Sequence, residues 1–274
     1  MVKNLVLSGA GFKCWAYIGT LRALNEYQLK DIEHVVGVSA GGIFGLMYIL
    51  GAKPEFLLKF FIDNNVHESH DVDIDNILIQ NSLFAGIKFF ETVKTLISHY
   101  VDPDITFKGL YRYSKIKFTV NALNITDSKL EYFNYLLTPE IKVIDALIAS
   151  ASLPIILPAH TINGKNYYDG GLCNNCPVDI VEEVDTISFK CTGPMDKSTG
   201  INLLDLLNTL IKLIHKNVDT QNAYNVLDSS FIEEMFNLNQ TRDDIFNIYM
   251  HGYINSKNII FDNYIALQNT TETN

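Results

Sequence analysis

Positive charge is in short supply in this chain. Lys and Arg number 21 against 31 Asp and Glu, a formal net charge of −10 over 274 residues. Polyanions are held by basic patches, so this balance argues against non-specific nucleic-acid binding. It also disfavours attraction to anionic lipid surfaces, which leaves apolar or local contact as the route to a membrane or micelle. Cysteine is scarce too. The four present (Cys14, Cys173, Cys176, Cys191) are too few for a disulfide framework and suit a reducing compartment. No run approaches the roughly 18 to 20 apolar residues of a spanning helix. Met1-Val2-Lys3-Asn4 leads directly into an apolar segment without a signal-peptide core. These absences predict a soluble, cytoplasmic protein. Repeats, linkers and composition breaks are also lacking, so a single domain is expected over 1–274. Its 47% hydrophobic and 19% charged residues are those of a folded chain with a sizeable core.

What is present is organised around Val35-Val36-Gly37-Val38-Ser39-Ala40-Gly41-Gly42. An apolar run ends in Gly-x-Ser-x-Gly, and a small-residue, helix-compatible segment follows to about Leu50. Strand, sharp turn and helix place the central serine in a strained conformation at the end of a strand and the start of a helix. The helix dipole there favours developing negative charge, so Ser39 reads as a catalytic nucleophile.

Upstream, Leu5-Val6-Leu7 is a short strand, and Ser8-Gly9-Ala10-Gly11 is a small-residue loop. Tyr17, Ile18, Leu21 and Leu24 recur at helical spacing between Trp15 and Tyr27. A right-handed crossover sets the strand at His34–Val38 parallel to the first, so the loop and Ser39 emerge on the same sheet edge. Such a loop offers backbone N–H groups to an anion. A dinucleotide fold also begins in this way, but here the third glycine position is Cys14 and the acidic residue about 20 on is poorly defined.

Further on, residues 53–62 read as a helix from Pro54, and His67–Gln80 as a polar, irregular stretch. Leu83–Tyr100 reads as an amphipathic helix with Ile87, Phe90, Val93, Leu96 and Ile97 on one face, either covering the core or acting as a lid. Ile116–Leu123 and Lys129–Phe133 are expected strands, followed by a helix over Ile141–Ala151. Tyr167-Tyr168 then ends in Asp169-Gly170-Gly171, an acid on a flexible turn, and Thr186–Cys191 is another strand. Leu203–His215 is an amphipathic helix, one of the additional helices expected over 195–274, and the polar tail from Gln268 is expected to fray.

Three pieces coincide in order: a donor loop, Gly-x-Ser-x-Gly, and a late Asp-Gly-Gly. The pattern resembles the patatin-like phospholipases, serine acyl hydrolases that use a Ser–Asp dyad. The resemblance covers about residues 5 to 180. The family's first motif corresponds to Gly9-Ala10-Gly11-Phe12-Lys13-Cys14 and its second to Gly37–Gly41. Its third corresponds to Ala149-Ser150-Ala151-Ser152-Leu153-Pro154 and its fourth to Asp169–Val178. Ala10 replaces the middle glycine of the first motif and Cys14 the last. Alanine keeps its N–H, so the donor survives where φ is negative, whereas a positive φ would cost about 1 kcal/mol or more.

The resemblance implies a three-layer α/β/α fold with a mostly parallel central sheet. It also implies a metal-independent reaction without a cofactor, on phospholipid or lysophospholipid esters. Ser39 attacks, Asp169 takes and returns the proton, and the N–H groups of Gly9, Ala10 and Gly11 hold the oxyanion. Lys13 meets a phosphate head group or stands as a solvated loop charge. Burial is expected to raise Asp169 from an ordinary pKa near ~3.9.

Rival readings separate on particular residues. An α/β-hydrolase triad using His251 conflicts with the nucleophile's position after a single strand–helix unit. A patatin-like module without turnover rests on Ala10 and Cys14. Cys173-x-x-Cys176 has no second pair for a zinc or redox site, so both are expected as buried free thiols. His67 and His70 are expected in solvent.

Overall fold

A computed structural model describes residues 2–29, 31–64, 82–182, 185–191, 223–227 and 240–271, with side chains to 262. Its first strand, β1 (Asn4–Leu7), is buried at Leu5, Val6 and Leu7, and β2 (His34–Gly37) is buried throughout. Strands that are apolar without alternation need cover on both faces, as in the interior of a parallel sheet. Leu5, Leu7 and Val35 face the main core, which includes residues of α1 (Trp15–Glu26), α2 (Ala40–Ile49) and α3 (Pro54–Asp63). Val6 and Val36 face a second cluster with Cys176 and Ala223, flanked by Val178, Ile180 and Val181.

The remaining elements are α4 (Ile87–Ser98), α5 (Phe107–Ser114), β3 (Lys117–Asn124), β4 (Lys129–Phe133), α6 (Val143–Ala151), β5 (His160–Ile162), β6 (Lys165–Asp169), β7 (Thr186–Lys190), β8 (Tyr224–Asn225) and α7 (Arg242–Thr271). The sheet runs β5-β6-β3-β2-β1-β7-β8, with β4 paired to β3 off this path. From β3 to β8 every pairing is parallel, and the β4, β5 and β6 pairings are antiparallel. This is the α/β fold with a mostly parallel central sheet expected from the sequence.

Register fixes the geometry that matters for the site. Val120 of β3 lies opposite both Gly37 of β2 and Phe133 of β4, so those two strands flank β3 on opposite edges. Residues 122–124 pair with both β4 and β6, which puts β6 on the β2 edge. The strand β2 runs parallel to β3 and ends opposite Val120, while β6 runs against it and ends with Asp169 opposite Ala122. Two strands therefore approach head-on along one edge, with only Asn121 of β3 between their ends.

The structure corrects several boundaries. The helix expected over 83–100 begins only at Ile87, after Gly86 at φ +72°. Leu83 and Phe84 are instead extended along 155–156, donating N–H bonds to the carbonyls of Ile155 (2.7 Å) and Ile156 (3.0 Å). Val93, Leu96 and Ile97 face the core as expected, whereas Ile87 is exposed. The sequence reading missed α5, capped by Thr106 accepting from the Gly109 N–H at 3.2 Å, and the short β5.

The helices expected over 195–274 include α7, to which the sequence reading gave no bounds and which continues to Thr271 through the tail expected to fray from Gln268. That helix docks on α1 backbone to backbone. A Cβ on Gly252 would strike the Ala16 carbonyl, and one on Gly19 would strike the Tyr249 carbonyl. The buried hydroxyls of Thr20 and Ser256 meet at 2.8 Å in the same contact. A seam of glycine and serine leaves little apolar periodicity to read. The expected helix at Leu203–His215 and the stretch His67–Gln80, with His67 and His70, lie outside the described residues. Among the described residues no helix is long and apolar enough to cross a membrane.

Candidate active site

Ser39 follows β2 directly, and its backbone sits at φ 52°, ψ −126°, outside the regions a side-chain-bearing residue prefers. The strain is held by close packing. A Cβ on Gly41 would run into the carbonyl oxygens of Leu7 and Ser8, and one on Gly37 would sit 2.5 Å from the Gly42 Cα. Only glycines at both places let α2 start this tightly against β1 and β2. The Ser39 N–H donates to the buried Ser150 Oγ at 2.8 Å, so the third motif anchors the turn from α6. Behind the serine, α2 points its positive end at the hydroxyl.

Asp169 is 6% exposed at the end of β6. Its N–H donates to the Ser152 carbonyl at 2.8 Å, and its Oδ1 accepts from the Gly171 N–H at 2.7 Å. The Ser39 hydroxyl acts on the same carboxylate, holding its pKa down. Burial pushes this acid up to about 6, the Ser39 hydroxyl and the Gly171 N–H pulling the other way by less. The head-on strands thus bring together a hydroxyl and a carboxylate that the chain separates widely.

The donor loop stands beside them. A Cβ on Gly9 would come within 3.5 Å of the Ser39 Cβ. The Gly9 N–H, however, donates to the Asn175 carbonyl at 3.1 Å, and Asn175 Nδ2 donates back to the Gly9 carbonyl at 3.4 Å. Gly9 is therefore a tether between this loop and the acid turn, its amide already engaged. Among the described residues no backbone carbonyl takes the N–H of Ala10 or Gly11. Ala10 lies at φ −137°, so its methyl group costs no strain, while Gly11 takes the positive φ of 53° that favours glycine.

Lys13 is only 3% exposed, which corrects the expectation of a solvated loop charge. Its side chain turns inward near Cys191, and burial lowers its pKa. Cys176 is buried in the second cluster, whereas Cys173 is exposed rather than buried as expected. His251, the partner in the rival triad, lies on α7.

Sequence reasoning left four contributors without a role: Ser150, Ser152, Asn175 and Asn121. The Asn121 side chain is fully buried and donates to the Asn174 carbonyl at 2.9 Å, holding the segment after the acid turn to β3. Ser150 and Ser152 stood in a motif that could have flagged them. Nothing local marks Asn121.

This arrangement suits acyl transfer, with a nucleophile beside a base and amides close by. The patatin-like phospholipase family model matches residues 5–181. A probable lipid hydrolase, 463L of Invertebrate iridescent virus 6, is 30% identical over 185 residues, 65% of this chain and 62% of that protein. Triacylglycerol lipase 4 of Saccharomyces cerevisiae is 28% identical over 66% of this chain and 22% of its own. The chain thus spans less than two thirds of either relative. Among solved structures, VipD from Legionella pneumophila shares the fold at TM-score 0.60 and 15% identity, covering 95% of this chain and 67% of that one. The matched segment takes in well over half of the sequence and holds both Ser39 and Asp169, and the chain belongs to the patatin-like phospholipase family.

Proposed function

We propose that this chain hydrolyses fatty-acyl esters of lipids, phospholipids or lysophospholipids in particular, through Ser39 and Asp169. The observation that carries the reading is a strained serine whose hydroxyl acts on a buried, raised carboxylate. Ser39 Oγ attacks the ester carbonyl carbon as its proton passes to Asp169. The amides of Ala10 and Gly11 hold the oxyanion. Collapse breaks the bond to the alcohol, which leaves with the proton from Asp169. Water then attacks the acyl-serine, giving its proton to Asp169, and collapse frees the fatty acid as Ser39 Oγ recovers a proton. A carboxylate whose pKa is raised to about 6 is a better base than an ordinary aspartate and is still ionised at neutral pH.

The similarity to proteins named lipid hydrolase and triacylglycerol lipase supports a lipid ester as the substrate class. Lipid would be met by transient contact with a membrane or micelle surface. The alternative, a lipid-binding module without turnover, draws on Ala10 and Cys14, and the negative φ at Ala10 takes away much of its force.

Labelling with a fluorophosphonate, followed by a panel of phospholipids, lysophospholipids and triacylglycerols, tests the reading. The expected result is covalent labelling that Ser39→Ala abolishes, with free fatty acid released from phospholipid or lysophospholipid. Folded protein that takes no label refutes the enzyme and leaves the binding module.

A further inference from the structure

Outside the matched segment, just before α7, stands Gln240, only 6% exposed. Its side chain reaches across the turn that follows the donor loop. Oε1 accepts from Trp15 Nε1 at 2.7 Å, and Nε2 donates to the Phe12 carbonyl at 3.1 Å. An indole N–H only donates and a carbonyl only accepts, so these partners fix which way the amide faces. Phe12 and Trp15 bracket the last half of the 3₁₀ turn Gly11–Cys14, whose preceding residue is Ala10. Within that turn the Lys13 N–H donates to the Ala10 carbonyl at 3.1 Å.

Both ends of the brace are themselves held. Trp15 is buried edge-on against Phe61, ring centroids 5.4 Å apart. Thr241, next to Gln240, is tied to the first turn of α7: Asp244 accepts from its N–H at 2.8 Å and its hydroxyl at 2.7 Å. The glycine seam then fixes α7 on α1. The loop amides accordingly hang between two fixtures, Asn175 from the acid turn at Gly9 and Gln240 from the C-terminal helix at Phe12.

We infer that Gln240 is a positioning residue that sets the pitch of the Gly11–Cys14 turn and so aims the Ala10 and Gly11 amides at the oxyanion. The inference rests on the Ser39–Asp169 chemistry proposed above, whose rate Gln240 governs without touching substrate. It makes the C-terminal helix part of the catalytic apparatus.

The test uses the full chain as wild type, Gln240→Met and Gln240→Glu. The readouts are the rate of Ser39 labelling by a fluorophosphonate and kcat and KM on p-nitrophenyl butyrate. Methionine fills the space but makes neither bond, and small misplacements of catalytic groups cost up to about 100-fold in rate. For Gln240→Met the labelling rate and kcat are expected to fall ~10- to 100-fold with KM held. A protonated glutamic acid copies the amide, its O–H donating to Phe12 and its other oxygen accepting from Trp15. An ionised one cannot donate. The Gln240→Glu labelling rate, as a ratio to wild type, therefore rises toward one as pH falls through the glutamate ionisation.

A purely structural role would leave that ratio flat. Wild type labelled at Ser39 with Gln240→Met equally fast, a loss carried by KM alone, or a flat Gln240→Glu ratio overturns the brace and spares the chemistry. Wild type that takes no label overturns both. If Gln240→Met does not fold, the pH dependence of Gln240→Glu decides.

Discussion

Replacing Asp169 with asparagine separates the stability of this protein from its activity. The carboxyl is held up to about 6 in the folded chain against an ordinary 3.8, chiefly because burial disfavours its charge. Each unit of such a shift corresponds to about 1.4 kcal/mol, so the ionised acid costs on the order of 2–3 kcal/mol of stability at neutral pH. The folded state binds this proton more tightly than the unfolded state. Its contribution to stability is therefore greatest at acid pH and is lost as pH rises from 3.8 through about 6.

Asparagine keeps an oxygen to accept from the Gly171 N–H and from Ser39 but carries no charge to desolvate. Asp169→Asn is expected to melt about 5 °C higher than wild type at pH 7.5, with the difference shrinking toward pH 4. The same change removes the base, and turnover falls by about 10²–10⁴. Wild-type kcat/KM on a soluble ester is expected to fall about tenfold per unit below pH 6 and to level off above pH 7. Thermal melts over a pH series, paired with esterase assays, measure both effects. An Asp169→Asn protein that melts lower than wild type at pH 7.5, or that keeps more than about a tenth of the activity, would refute the reasoning.

Two other substitutions probe the turn and the helix seam. Ser39→Gly removes the nucleophile and relieves the positive φ of 52°, so it is expected to be inactive yet more stable by about 1 kcal/mol in denaturant melts. A Ser39→Gly protein less stable than wild type would show that the turn is unstrained. Gly252→Val drives a side chain into the Ala16 backbone and pries α7 from α1, at an expected cost of at least about 2 kcal/mol in the same melts. An unchanged midpoint would place α7 elsewhere.

The α/β class, the parallel pair β1–β2 and the two residues proposed to carry the chemistry were legible in the sequence, because each leaves a local signature. Uninterrupted apolar runs mark strands covered on both faces, and glycines flanking a serine mark a turn that needs close backbone approach. The antiparallel return of β6 was not legible, since pairing register depends on partners remote in the chain.

Composition and local pattern by themselves determined the excess of acidic over basic residues, the strand–loop–helix opening, and the turns that carry a candidate nucleophile and a candidate acid. Tertiary structure alone decided that the ends of β2 and β6 meet across Asn121. It decided that Gly9 spends its amide on Asn175, that Lys13 turns inward, and that Gln240 reaches back to the first loop. Chemical character is carried by single residues, whereas burial, hydrogen-bond occupancy and distance exist only once remote segments have packed together.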